Sequence, residues 1–345
     1  MSQEVLVAMS GGVDSSVAAA LLLEAGYRVT GVTMKLWGGD SDTGCCSVSD
    51  VDDARRVAQQ LGIDHHVFNF GDDFDRHVVA PYVADHAAGR TPNPCIECNR
   101  HIKFDRLLRR AASLGIDLVA TGHHARIVTR PDATRRVARG ADLAKDQSYV
   151  LHMLGQAQLA RVLFPVGELT KADVRAHAAR LGLRTASKPE SQDVCFITSR
   201  DGRGLFLRER VELTPGRVVD THGRQLGTVP AVQLVTIGQR KGLGLPGGTR
   251  EPRFAIDVDT RSATVTVGTR ADLLVDETRL ESFAWAHRPH RGPVLAQTSA
   301  HASAEPATLD GDVLRWDVPH RRVAPGQSVV FYDGDEVLGG ALAAP

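Results

Sequence analysis

Two sets of residues in this chain have the types and spacing to do chemistry. The first is Ser10-Gly11-Gly12-Val13-Asp14-Ser15. The apolar run Val5-Leu6-Val7-Ala8-Met9 stops at it, and Val13, Val17, Leu21 and Leu22 then recur at helical spacing. A strand that turns sharply into a helix aims several backbone N–H groups and the positive end of a helix dipole at one point, which suits phosphate. Gly11 and Gly12 omit the side chains that would hold a phosphate away from that backbone. The run has no P-loop lysine, so γ-phosphoryl transfer is not the first expectation. The second set is the thiols. Five cysteines, Cys45, Cys46, Cys95, Cys98 and Cys195, are an odd count and a poor disulfide framework for a reducing compartment. In Asn93-Pro94-Cys95-Ile96-Glu97-Cys98-Asn99 a thiol opens a helix, where the dipole favours the reactive thiolate. Cys-x-x-Cys is also half a zinc site or a redox pair. No second pair at ligand spacing follows, however, and the thioredoxin motif belongs to a different strand–helix pattern. Cys195 on its own reads as a buried structural cysteine, and Cys45-Cys46 as structure or a lid.

The surrounding chain must bring these residues to one place. Strand and helix alternate: Val29 to Lys35 reads as a strand, Asp52 to Leu61 as a helix closed by Gly62, His66 to Asn69 as a strand, and Phe74 to Ala88 as helical. Pro92 and Pro94 hold residues 89–97 extended, so the next helix is placed from about Cys98 to Leu114. Leu118 to Thr121 is a fourth strand, ending in Gly122-His123-His124. This alternation predicts a parallel sheet with helices on both faces and ligands beyond the carboxyl ends of the strands, where Ser10, Met34 and Gly122 should meet. Arg126 to Ala138 reads as a hairpin, Gln147 to Arg161 as helical, and Lys171 to Leu181 as a helix closed by Gly182. Beyond about residue 200, β-branched runs alternate with Gly and Pro turns; Val294–Ser299, Val313–Trp316 and Ser328–Tyr332 read as strands of a small barrel.

Composition sets the outer bounds. With 345 residues, 42% of them hydrophobic and 24% charged, the chain has room for two or three ordinary globular domains. No apolar run reaches the length of a membrane span and no signal-peptide pattern opens the chain, so a cytoplasmic protein is expected. Lys+Arg and Asp+Glu both count 41, so no overall basic field advertises nucleic acid, and any RNA-binding surface must be local.

The first loop resembles the SGGxDS loop of the ATP pyrophosphatases, which cradle the pyrophosphate of ATP and transfer AMP to an oxygen. Taken with the cysteines, nearly the whole chain resembles the tRNA-specific 2-thiouridylases. The motifs follow in order: Met9-Ser10-Gly11-Gly12-Val13-Asp14-Ser15-Ser16, Thr91-Pro92-Asn93-Pro94 with Cys98-Asn99, Lys103-Phe104, and Ala120-Thr121-Gly122-His123. Then come Lys145-Asp146-Gln147-Ser148-Tyr149, Ser191-Gln192-Asp193 with Cys195-Phe196, and Pro325-Gly326-Gln327 with Tyr332. The resemblance implies an α/β fold with a parallel-sheet adenine nucleotide alpha hydrolase-like (PP-loop ATP pyrophosphatase) domain over residues 1–200. A small central β-rich domain over 201–275 and a tRNA-contacting C-terminal β-barrel over 276–345 would follow.

The activity it implies is ATP-dependent 2-thiolation of the wobble uridine of tRNA. AMP is attached to the C2 oxygen, pyrophosphate departs with Mg²⁺ present, and sulfur attacks C2. By the same resemblance Cys195 carries a persulfide received from a sulfur-donor protein, and Cys98 attacks it, leaving a Cys98–Cys195 disulfide. Ala8, Met9, Ser10, Gly11, Gly12, Val13, Asp14 and Ser15 would hold the phosphates, and Met34 and Gly122 would line the adenosine. Asn93, Pro94 and Cys95 would face the flipped base. His123, Lys145, Asp146, Gln147 and Gln327 would touch the RNA, and a monomer is expected. Two positions depart from the pattern. Many members carry an aspartate where this chain has Cys95, which leaves the proton carrier open between Cys95, another group and water. The same change creates a set, Cys95, Cys98 and Cys195, able to hold an iron–sulfur cluster, the less favoured reading. In the barrel, an Arg-Tyr pair that contacts tRNA in relatives aligns with Ser299-Ala300. One rival is another PP-loop ATP pyrophosphatase that adenylates a small molecule, which needs the Ser10 loop but not both Cys98 and Cys195. A second is a non-catalytic RNA-binding protein with a vestigial nucleotide site.

Overall fold

The computed structural model describes residues 2–36, 48–189, 194–197, 202–246 and 251–345; Cys45, Cys46 and the Ser191-Gln192-Asp193 motif lie outside them. Strands β1 (Glu4–Ala8), β2 (Arg28–Lys35), β3 (Asp64–Asn69) and β4 (Leu118–Thr121) pair in parallel, and the two-residue strand Val162–Leu163 adds to the β4 edge. From the edge, the order runs β3, β2, β1, β4, then Val162–Leu163. The chain winds outward from β1 in one direction and then crosses to its other side, so the winding reverses between β1 and β4. A crevice forms at such a reversal.

Both faces of this sheet are covered, which accounts for the unbroken apolar run in β1. Val5 and Val7 pack into a core with Val17, Val57 and Val174, while Leu6 and Ala8 pack into another with Phe74, Ile102 and Phe104. Val5, Leu6 and Val7 have no solvent exposure. Successive strand residues point to opposite faces, so a strand covered on both sides shows no alternation in its sequence.

The helix expected from Cys98 starts earlier. It begins at Pro94 and continues through Ser113, with the stretch Cys98–Arg106 wound as a π-helix. Pro94 takes the first helical position, where no backbone N–H is needed, and Asn93 caps it by accepting the Cys95 N–H at 3.1 Å. Cys95, rather than Cys98, therefore sits in the first turn. Residues 147–161 are likewise not one helix. They form a 3₁₀ turn, Ser148–Leu151, and a single α-turn, Gln156–Leu159, because Ser148 and Tyr149 are drawn out of helical register into buried contacts with the C-terminal strands.

Downstream, Gly216–Val219, Gln225–Val229, Phe254–Asp259 and Thr264–Gly268 make a four-stranded sheet with its own core of Val218, Val229, Val265 and Val267. The C-terminal part of the chain, from Leu274, is a closed six-stranded barrel. Leu274–Trp285 pairs with Val313–Arg321 on one side and with Glu336–Ala343 on the other, which joins the two ends of the sheet. In Ser328–Asp333, Val329 and Phe331 fill the barrel, whereas Val330 and Tyr332 belong to the core around Phe104. The hairpin Ala125–Thr129/Arg135–Arg139 adds to the outside of the barrel sheet through Glu336 and Ala138. The barrel and the parallel-sheet unit thus share one apolar interface.

Candidate active site

The turn between β1 and the helix Val13–Glu24 is held from within. The Ser10 N–H donates to Ser15 Oγ at 3.2 Å, and the Ser15 and Ser16 hydroxyls donate to the Gly12 carbonyl at 3.2 and 2.8 Å. Gly11 has φ +72°, and a Cβ there would lie 2.3 Å from the Asp50 carbonyl oxygen. Glycine is needed on both counts. Gly12 is different: it has φ −92°, and its missing side chain faces open space apart from Ser10 Oγ at 3.5 Å. Opposite, at the end of β4, a Cβ on Gly122 would lie 2.6 Å from Ser15 N and 2.7 Å from Asp14 C. The ends of β1 and β4 therefore meet backbone to backbone.

A cavity of about 300 Å³ opens at this reversal point. Ala8, Met9, Ser10, Gly12, Val13, Asp14, Ser15, Met34 and Gly122 line it, so the residues expected to bind nucleotide converge there, with Gly11 behind the wall. His123, Lys145 and Gln147 also line it. Four lysines (Lys103, Lys145, Lys171, Lys188) face two carboxylates, Asp14 and Asp50, so the cavity is locally cationic in a chain without net charge. Such a field suits a polyphosphate. Lys171 and Lys188, together with Thr33, Asp50, Thr121 and His124, were not legible as site residues. Each lysine stands alone in the sequence, more than 150 residues from Ser10, and only tertiary packing delivers it.

Asp14 sits at the centre of the polar wall. Lys171 Nζ lies 2.8 Å from each of its carboxylate oxygens, and His124 Nε2 lies 3.1 Å from Oδ1. Burial works to raise the Asp14 pKa, but the His124 and Lys171 hydrogen bonds outweigh it and hold the carboxyl below its ordinary value. Lys188 Nζ donates to the Gly11 carbonyl at 3.0 Å and to Asp50 and Asp53 at 2.7 and 2.6 Å, tying the turn to the helix Val48–Leu61. His123 is buried between Phe104 and Phe164, with Nδ1 2.6 Å from Thr121 Oγ1. Burial pushes its pKa well below the usual histidine value, so the ring is neutral.

The three described cysteines differ in burial. Cys95 is exposed, Cys98 is buried and Cys195 is half-buried. Cys98 belongs to the core around Phe104, and Cys195 packs against that same core. Next to Cys195, Phe196 is anchored edge-on to Phe74, Tyr82 and Phe206, at ring distances of 5.7, 5.4 and 5.2 Å. On the other side, the Thr91 N–H donates to the Pro325 carbonyl at 2.7 Å, and Arg90 pairs with Asp85 and with Glu281 of the barrel. These contacts seat the loop 325–327, with Gln327, beside Arg90 and Thr91. Among the described residues no group of three His, Cys, Asp or Glu is disposed to hold a metal ion.

Asn93, Pro94, Cys95, Cys98, Asp146, Cys195 and Gln327 are not part of the cavity wall. Asp146 is engaged instead in a network with Arg139 and Ser148, and its side chain is 5% exposed.

Residues 3–199 match the family model described as tRNA methyl transferase HUP domain, 204–269 the tRNA methyl transferase PRC-barrel domain, and 294–343 the aminomethyltransferase beta-barrel domain. Full-length relatives agree. The chain is 48% identical over 375 residues to the tRNA-specific 2-thiouridylase MnmA of Roseiflexus sp. (strain RS-1), with 99% of both chains covered. It is 46% identical over 355 residues to the protein of the same name from Carboxydothermus hydrogenoformans, covering 98% of this chain and 96% of that one. With a first-domain match over more than half its length and relatives this similar end to end, the chain belongs to the tRNA-specific 2-thiouridylase family.

Proposed function

We propose that this protein thiolates the wobble uridine of tRNA at C2 at the expense of ATP, which it splits to AMP and pyrophosphate. The observation that carries the reading is the cationic cavity at the reversal point of the sheet, walled by the Ser10–Ser15 turn and by Lys103, Lys145, Lys171 and Lys188. The C2 oxygen of uridine is a poor leaving group until AMP is attached to it. The backbone N–H groups at the start of the helix Val13–Glu24 and the four ammonium groups can hold the triphosphate and take up the charge of the departing pyrophosphate. Met34 and Gly122 would line the adenosine. Asp14 is the carboxylate suited to Mg²⁺, which takes one or two carboxylates together with substrate phosphates and would shield their charge when bound.

For the sulfur step, the thiolate of Cys98 attacks the inner sulfur of a Cys195 persulfide. The S–S bond of the persulfide breaks, sulfide leaves, and a Cys98–Cys195 disulfide forms. Sulfide attacks C2 and AMP departs; a thiol reductant then reopens the disulfide for the next turnover. The packing of Cys195 against the same apolar core that contains Cys98 supports this pairing. We further propose that residues 1–200 do the chemistry, with a central β-rich domain over 201–275 and a tRNA-contacting barrel over 276–345. The protein would act as a cytoplasmic monomer receiving sulfur from a donor protein. Asn93, Pro94 and Cys95, just after the Thr91 contact with the Pro325–Gln327 loop, would face the extruded base. Lys145 and Gln147 would meet it from the cavity side, and His123 only through a base that enters the cavity. The small-molecule rival lacks a use for the thiol pair.

Pyrophosphate release separates the readings: dependence on tRNA supports thiolation, and dependence on a small molecule without tRNA supports the rival. No release under either condition would leave a binding protein.

A further inference from the structure

We propose that Asp146 is a positioning residue through which the seating of the C-terminal barrel sets the geometry of the nucleotide cavity. In this assignment its carboxylate holds no RNA. The inference rests on the thiolation reading for the identity of the two ligands, ATP and tRNA, and on this chain's own contacts for everything else.

Asp146 lies between two residues that line the cavity, Lys145 and Gln147, yet is not itself part of the wall. Its side chain is 5% exposed and its hydrogen-bonding capacity is filled from inside the protein. Oδ1 accepts the N–H groups of Gly140 and Ser148, each at 3.0 Å; Oδ2 accepts Arg139 Nη1 at 2.9 Å and the Ser148 hydroxyl at 2.7 Å. A carboxylate accepting four such bonds has little capacity left for a base. The partners lead directly to the barrel. Arg139 Nη2 donates to Gln297 Oε1 at 2.9 Å, and its guanidinium lies 4.1 Å above the Tyr332 ring. Ser148 Oγ is 3.1 Å from the Tyr332 hydroxyl, and Tyr149 donates its own hydroxyl to the Ser328 carbonyl at 2.8 Å. Gln297, Ser328 and Tyr332 all belong to barrel strands.

The other end of the segment reaches the nucleotide. Gln147 holds His124 twice, donating its N–H to the His124 carbonyl and accepting the His124 N–H on Oε1, both at 2.9 Å. His124 in turn lies against Asp14. A shift of the barrel at Tyr332 and Gln297 must therefore displace Asp146 and, through its two neighbours, Lys145 and the Gln147–His124–Asp14 contact. Coupling of this kind is reciprocal, so tRNA seated on the barrel and nucleotide in the cavity must change each other's affinity by the same factor.

The test titrates a non-hydrolysable ATP analogue into the full-length protein, alone and with a saturating unmodified transcript of a tRNA carrying a wobble uridine. Wild type, Asp146→Asn and Tyr332→Phe are compared. In the wild type the transcript should change analogue affinity by about fivefold or more. In Asp146→Asn that ratio should fall to near one, while the salt dependence of transcript binding stays as in the wild type. Tyr332→Phe removes a single hydroxyl and should reduce the ratio in a protein of near-normal stability, so it decides the matter if Asp146→Asn does not fold. An Asp146→Asn protein that keeps the wild-type ratio, or that loses transcript affinity with the ratio intact, would overturn the inference. A wild type that binds both ligands with no mutual effect would overturn it too. A wild type that binds neither would instead refute the thiolation reading.

Discussion

Substituting Gly122 by alanine adds one methyl group where the end of β4 meets the nucleotide turn. The new Cβ would stand 2.6 Å from Ser15 N, 2.7 Å from Asp14 C and 2.9 Å from Ser15 Cα. All three are backbone atoms, so no side chain can rotate away. Ordinary contact begins near 3.4 Å, and moving from 2.6 to 3.4 Å displaces the turn by about 0.8 Å. Overpacking of this size costs about 1–3 kcal/mol, equivalent to a fall in Tm of a few degrees per kcal/mol for a domain of this size. The functional cost is larger, because a misplacement near 1 Å in a positioned site lowers rate by about 10²-fold. Gly122→Ala should thus remain folded, with a modestly lower Tm and a kcat/KM for ATP-dependent AMP formation reduced about a hundredfold. Gly12→Ala is the matched comparison. That site is open and its φ of −92° suits alanine, so stability should fall only by about 1 kcal/mol, from a poorer helix cap. If phosphate packs against the turn at Gly12, nucleotide affinity should nonetheless drop in that variant. A Gly122→Ala protein with wild-type Tm and activity within about threefold of normal would refute the contact between strand ends on which the site is built.

Lys171→Met removes the ammonium that bonds both oxygens of Asp14, and a hydrogen bond to a charged group is worth about 1.5–3 kcal/mol. ATP affinity by titration should weaken about tenfold or more; unchanged affinity would take Lys171 out of the phosphate site. Cys98→Ser and Cys195→Ser should each abolish 2-thiouridine formation while leaving tRNA-dependent pyrophosphate release, and thiol alkylation of the Cys195→Ser protein should find no persulfide. Full thiolation by either variant would remove that cysteine from the mechanism. Burial holds His86 and His152 at a pKa of about 4, below the ordinary 6.5. As pH falls below 6.5 the unfolded chain binds protons that these rings refuse, so stability present above that pH is lost progressively down to about pH 4. The slope is on the order of 1.4 kcal/mol per pH unit for each ring. Urea unfolding between pH 7 and pH 4 measures it, and a His152→Gln variant should show a shallower slope than the parent.

The parts of the site that the sequence carries locally were the legible ones. An apolar run that changes period at Ser10, and a strand that stops at Gly122, each announce a turn from neighbouring residues alone. The start of the helix at Pro94 was misread because proline forbids a helix interior but suits its first position, and the Asn93 cap decides which applies. The break after Gln147 was hidden for another reason. Ser148 and Tyr149 satisfy a helical spacing, but their hydroxyls are claimed by Tyr332 and Ser328, about 180 residues away. Lys171 and Lys188 show the same limit. A lone lysine has no local signature, and its role comes from the tertiary packing that carries it to Asp14 or Asp50.

The most direct test of the account incubates the purified protein with ATP, a wobble-uridine tRNA transcript and a persulfide donor. AMP and pyrophosphate are then measured alongside nucleosides from the digested tRNA. The account expects 2-thiouridine at the wobble position, accumulating in step with AMP and pyrophosphate and only when tRNA is present. Formation of ADP and phosphate, or of AMP without tRNA and without any thiolated nucleoside, would contradict it.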